Sequence, residues 1–233
     1  MTSAAERRPE QLALPWSSDT AHESFRALPR IAPWAPLAAA SMPIVLTTGW
    51  LVADTLQPSS YSPMRQTVSV LSGYAGSQRW IVTTTLYAVG LAYIVTAAGM
   101  HELAAAARNG LLVAGVAAIG VATFPVPVHG TSRPHAAFVV IGAVAITVWP
   151  ALAARQETVR AAVGRRLTTA AIVLSTALFL WTALETRDGN LLGLAERVSS
   201  GLQATWPAVV ALMVRRAQRR EDGIGRSVAQ VAS

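Results

Sequence analysis

The chain has 233 residues, of which 52% are hydrophobic and 13% charged, with a mean hydropathy of +0.41. Soluble domains carry about 25% charged residues, so this composition excludes an ordinary soluble fold. The 19 basic residues are all Arg and face 12 acidic ones, a formal charge of +7. In a membrane protein such an excess is first a topology signal, and no nucleic-acid partner is expected. There is no Cys, which removes disulfides, thiolate nucleophiles and Cys-ligated zinc or iron–sulfur centres.

In chain order, residues 1–30 are polar and lack the short apolar core and small-residue cleavage site of a secretory signal, so they are expected to be retained. Six apolar runs follow, at Ala35–Leu56, Trp80–Met100, Gly110–Val128, His135–Ala154, Leu167–Leu184 and Ala195–Val214. Each has roughly the 20 residues that cross a ~30 Å hydrocarbon core as a helix. The sixth is the least typical, because Glu196 and Arg197 stand in its opening turn. The expected fold is all-α, a polytopic transmembrane bundle of six, or at most seven, spans. It comprises a cytoplasmic segment over 1–34, the helical domain over 35–214 and a basic cytoplasmic tail over 215–233.

Six spans place both termini on one side. Fourteen Arg then fall with the termini and five on the opposite side, namely Arg65, Arg79, Arg133, Arg187 and Arg197. Short Arg-rich loops stay in the cytoplasm, so the termini are expected inside and the residue-rich loops outside a cell membrane. The Arg-rich tail reads as a topology anchor that contacts anionic lipids. Trp34 and Trp149 fall at the expected inner headgroup boundary, and Trp80 and Trp181 at the outer one. Gly110, Gly115 and Gly120 offer small faces for close helix packing.

The polar residues gather on the expected outer side. Asp54 ends the first run, and the loop after it holds Tyr61, Pro63, Arg65 and Ser69. Pro63 suits the first turn of a short helix, which would put Arg65 and Ser69 on one face, so a re-entrant or interfacial helix is expected near 63–72. His129 and His135 flank a Gly–Pro turn, and Glu185, Arg187, Asp188, Glu196 and Arg197 surround the last connection. Asp54, Glu185 and Glu196 serve equally as general acids or as partners of Arg65, Arg187 and Arg197. The two His lack a fixed third ligand, so no metal is expected. No phosphate-binding loop, dinucleotide glycine pattern, nucleophile elbow or HExxH occurs, and no cofactor is expected.

Gln57-Pro58, Tyr61-Ser62-Pro63-Met64-Arg65, Ser69-x-Leu71 and the Trp80 helix together resemble a bacterial and archaeal membrane family catalogued as domain of unknown function 998. Phe124-Pro125, His129-Gly130, His135, Trp149-Pro150 and Gly193-Leu194-x-Glu196-Arg197 are similar to the same family. Many members have an acid just after the Phe-Pro pair, where this chain has Val126 and Pro127. The resemblance spans roughly residues 40–214. It implies a six- or seven-helix membrane protein, supports Arg65, Ser69, His135, Glu196 and Arg197 as site residues, and adds no reaction.

Three functions remain open on these residues. The first is binding of an amphiphilic or lipid-like molecule in an outward-facing pocket built from Tyr61, Arg65, Ser69, His129, His135, Glu196 and Arg197. There the Arg forks would hold an anionic head. The second is an intramembrane enzyme, such as a terpene cyclase or isomerase, in which Asp54 or Glu185 protonates a polyprenyl or terpenoid substrate. The third is a non-catalytic membrane subunit whose outer charges form a salt-bridge network.

Overall fold

The computed structural model describes residues 30–232. The sequence reading of residues 1–29 lies outside the described residues. The described chain forms eight helices, α1 (Ala35–Thr55), α2 (Val68–Ser72), α3 (Trp80–Gly99), α4 (Ala105–Thr123), α5 (Arg133–Ala153), α6 (Glu157–Val163), α7 (Arg165–Asp188) and α8 (Leu192–Ala232). Among the described residues there is no strand, and extended pairing is confined to one bridge between Ile31 and Met100.

Local chemistry sets these boundaries. Pro36 occupies the opening turn of α1, where its missing N–H is not needed. The Ser132 hydroxyl caps α5 by accepting the His135 N–H at 3.3 Å, with Pro134 in the first turn. Pro125 ends α4, because the residue before a proline is pushed out of helical geometry. α4 therefore ends five positions before the run Gly110–Val128 does, and it also begins five positions earlier. Arg108 enters its first turns by donating from Nε to the Ala97 carbonyl at 3.1 Å, which satisfies a charge that hydropathy alone places outside the span.

Five helices, α1, α3, α4, α5 and α7 up to Arg187, are long and apolar enough to cross a membrane. The sixth apolar run lies on α8, which is longer and more polar. Arg197, Ser199 and Gln203 of α8 are buried, so its polar groups face protein and lower its hydropathy without facing lipid.

The packing follows chain order around a closed ring. α1 lies against α3, α3 against α4, α4 against α5, α5 against α7 and α7 against α8, and α8 returns to α1. The short α2 caps one end of the ring, touching α1, α3 and α8, while α6 packs on α7 and α8. Contacts between small residues set the spacing. A Cβ on Gly90 would stand 2.7 Å from the Gly115 carbonyl and one on Gly115 would stand 2.6 Å from the Gly90 carbonyl, so only glycine lets α3 and α4 cross this closely. Trp149, near the end of α5, is fully buried in the core and donates Nε1–H to the Ala107 carbonyl at 2.9 Å, whereas Trp34 and Trp80 are exposed at helix starts.

Candidate functional site

The capped end of the ring is held by Arg197. Its side chain is 5% exposed and pairs with Asp54 at 2.9 Å. One terminal nitrogen donates to the carbonyls of Pro63 and Gln66, both at 2.8 Å, and to that of Gly193 at 3.0 Å. The other donates to Asp54 and to the Tyr61 hydroxyl, and Tyr61 in turn donates to Asp54 at 2.9 Å. The guanidinium lies over the Trp50 ring, 5.0 Å from its centroid. Burial and the neighbouring Asp54 raise the Tyr61 pKa above the usual tyrosine range and Arg197 opposes them, so Tyr61 stays a donor.

Gly193 makes this clamp possible. A Cβ there would stand 2.3 Å from the Gln66 carbonyl oxygen and 2.4 Å from that of Pro63, so only a bare backbone lets α8 start this close to the loop. The Leu194 N–H then reaches the Met64 carbonyl at 3.1 Å. The expected helix near 63–72 is present as α2, confined to Val68–Ser72, with a turn before it closed by Gln66 N–H on the Ser62 carbonyl at 2.8 Å.

Beneath α2 the ring encloses a cavity of about 410 Å³, within the ~300–1,000 Å³ range of small-molecule pockets. Its walls are apolar, with Leu46, Val89, Ala117, Phe138, Ile146 and Phe179 from five different helices. Its polar groups are Tyr93 of α3, Thr182 and Thr186 of α7 and Glu196, Ser199, Ser200 and Gln203 of α8. Val139 and Val140 on α5 and Ala183 and Thr186 on α7 line the cavity and are also exposed, so it opens sideways along the α5–α7 seam. Glu196 is the single carboxylate in the lining. One of its oxygens accepts the Val68 N–H at 2.7 Å, joining α8 to the N-terminus of α2.

The other sequence candidates sit elsewhere. Arg65 is exposed; its backbone N–H donates to the Ser62 carbonyl at 3.1 Å, and its guanidinium has no hydrogen-bond or ionic partner among the described residues. Ser69 is half-buried on α2, and its carbonyl accepts from Ser72 at 3.1 Å. Glu185 pairs with no arginine among the described residues. It accepts Trp181 Nε1–H at 3.3 Å and the Leu191 N–H at 2.9 Å, closing the turn from α7 to α8. His129 is exposed, whereas His135 is buried and holds the Phe124 carbonyl through Nδ1 at 2.8 Å. A carbonyl only accepts, so Nδ1 carries the proton, and Nε2 is left without a partner. Among the described residues no three His, Asp or Glu side chains converge on a point that could hold a metal ion.

Glu196, Ser199, Ser200 and Gln203 have the i, i+3, i+4, i+7 spacing of one helix face. That polar stripe within an apolar run is the signal from which the cavity residues Ser199, Ser200 and Gln203 could have been read. Thr182 and Thr186 carry a weaker i, i+4 version of it on α7.

The model of a family described as "protein of unknown function (DUF998)" matches residues 38–213, three quarters of the chain. The chain belongs to that family. No curated protein and no solved structure matches it.

Proposed function

We propose that this family member is a six-span protein of the cell membrane, with both termini cytoplasmic, that binds an amphiphilic small molecule in the cavity beneath α2. The observation that carries the reading is the cavity itself, which joins apolar walls in the bundle to a polar patch and opens toward lipid through the α5–α7 seam. A pocket of this shape suits a molecule with a tail and a head. The topology is supported by the excess of Arg in the inner loops, by the position of α8 in the ring, and by the Arg30–Asp222 contact at 2.8 Å, which ties the first described residue to the last part of α8.

Binding fits the geometry better than acid catalysis by Asp54 or Glu185. Asp54 is committed to Arg197 and Tyr61, Glu185 closes a turn, and neither lines the cavity. The test is native mass spectrometry of the full chain released from native membranes, beside Ala143→Phe, which places a ring in the cavity from α5. A bound amphiphile on the wild-type protein that is missing from a folded Ala143→Phe variant supports the reading. A bare wild-type protein, or an adduct indifferent to the substitution, overturns it.

A further inference from the structure

The polar lining of the cavity has few hydrogen-bond donors left to offer. Thr182 and Ser199 lie 2.8 Å apart and share the Leu178 carbonyl, at 3.0 Å from each, so their two hydroxyl protons are both used. Ser200 donates to the Glu196 carbonyl at 2.7 Å, and Thr186 donates to the Ala183 carbonyl at 2.6 Å. Gln203 spends both Nε2 protons, on Ser175 and Thr147, each at 3.1 Å. With Glu196 ionised, what remains unpaired among the described residues is acceptor capacity, namely its second carboxylate oxygen and the side-chain carbonyl of Gln203. Tyr93, further down the bundle on α3, keeps a hydroxyl able to act either way. No arginine lines this cavity, and Arg197, next to Glu196 in sequence, has its terminal nitrogens committed to the loop and to Asp54.

A carboxylate or phosphate head has only acceptors once ionised, so it would meet Glu196 oxygen against oxygen in a low-dielectric site. A hydroxyl or ammonium head would supply the missing proton and leave its chain along the apolar walls. Resting on the cavity-binding reading above, we propose that the occupant is a membrane-borne amphiphile with a hydrogen-bond-donating, non-anionic head held by Glu196, admitted from the bilayer through the α5–α7 seam. Glu196→Gln is an informative variant. The amide oxygen keeps the Val68 N–H satisfied, and the amide nitrogen turns the free acceptor into a donor, so head preference should reverse while the fold persists.

The experiment uses the full chain in phosphatidylcholine nanodiscs at alkaline pH, with four ligands that share one tail: dodecanol, dodecylammonium, dodecanoate and dodecyl phosphate. Competitive binding is read by native mass spectrometry. Hydrogen bonds to charged groups are among the stronger ones, so dodecanol and dodecylammonium should bind at least about tenfold more tightly than the two anions. Dodecylammonium ahead of dodecanol assigns a cationic head and the reverse order a neutral one, and either order supports the proposal. Ala143→Phe should abolish binding of all four, and Glu196→Gln should favour dodecanoate. Anionic chains binding best to the wild-type protein, or a Glu196→Gln variant that keeps the wild-type order, overturn the head assignment while leaving the cavity in place. Binding of all four that ignores Ala143→Phe overturns the cavity reading itself. The wild-type order decides the head chemistry even if a variant fails to fold.

Discussion

The strongest stability prediction concerns the pair Asp54–Arg197. Arg197 is 5% exposed and Asp54 16%, so each depends on the other and on a few oxygens for the solvation water would otherwise give. In Asp54→Ala the guanidinium keeps the Pro63, Gln66 and Gly193 carbonyls and the Tyr61 oxygen but loses its counter-charge. Removing one partner of a buried pair destabilises by about 3–5 kcal/mol, and the remaining neutral acceptors place this variant near the lower figure. In Arg197→Met three carbonyls lose this donor and Asp54 loses its counter-charge, keeping only the Tyr61 hydroxyl, which places that variant near the upper one. At about 2–4 °C per kcal/mol for a chain of this size, the two variants should melt roughly 6–20 °C below the wild-type protein. The double variant should fall well short of the sum, because it removes both charges and strands neither. The assay is thermal unfolding in a mild detergent, with all four proteins in one cycle. A loss below about 1 kcal/mol for Asp54→Ala, or strict additivity in the double variant, would refute the account of Arg197 as a buried, counter-charged clamp.

Three further outcomes follow from the same geometry. Gly193→Ala should lower stability by about 1–3 kcal/mol, since its Cβ would overlap the Gln66 and Pro63 carbonyls and push α8 off the loop; a melting temperature equal to wild type argues against that close approach. The hydrogen bond from Arg30 lowers the Asp222 carboxyl pKa, so this link is kept at neutral pH and lost only as pH falls through that lowered value. Amide hydrogen exchange over residues 215–230 should therefore stay slow through mildly acidic pH and rise below it, whereas Asp222→Asn should raise it at neutral pH already. Because the chain has no Cys, single substitutions report topology directly. In intact cells Ser59→Cys should react with an impermeant maleimide, and Ser227→Cys should react only after permeabilisation; the opposite pattern would invert the orientation.

Helix identity was legible because burial in lipid imposes one pattern on every span. The runs at Ala35, Trp80, His135 and Leu167 each match a helix of the structure to within a few residues at most boundaries. The errors fall where a local bond outweighs hydropathy. Arg108 looked like a loop residue because its charge dominated the window, yet one bond to the Ala97 carbonyl admits it to α4. The bond from Trp149 to the Ala107 carbonyl inside the core is a contact between helices that the preference of indoles for headgroups does not encode. The seven residues of α6 fell in a stretch read as an Arg-rich loop, because hydropathy registers no helix of that length. The closure of α8 on α1 is a long-range contact that no periodicity encodes. The pairing of charges was hidden for the same reason. The sequence groups Asp54, Glu185 and Glu196 with Arg65, Arg187 and Arg197 without saying which meets which, and the structure pairs Arg197 across the ring with Asp54.

That choice of partner bears on the cavity. If Arg197 paired with Glu196, the carboxylate facing the cavity would be neutralised from within and the capped end would lose its tie to the loop at Pro63 and Gln66. Pairing with Asp54 instead separates two roles among residues adjacent in sequence. Consecutive residues on a helix point about 100° apart, so Arg197 can face α1 and the loop while Glu196 faces the cavity. The arginine holds α8, α1 and the loop together. The carboxylate is left with a single N–H from Val68, and its other oxygen has no hydrogen-bond partner among the described residues. Substitutions at the two positions should accordingly separate. Arg197→Met acts on melting temperature, while Glu196→Gln acts on which head group is retained. Loss of stability with unchanged head selectivity in Glu196→Gln would place the carboxylate in the clamp and not in the site.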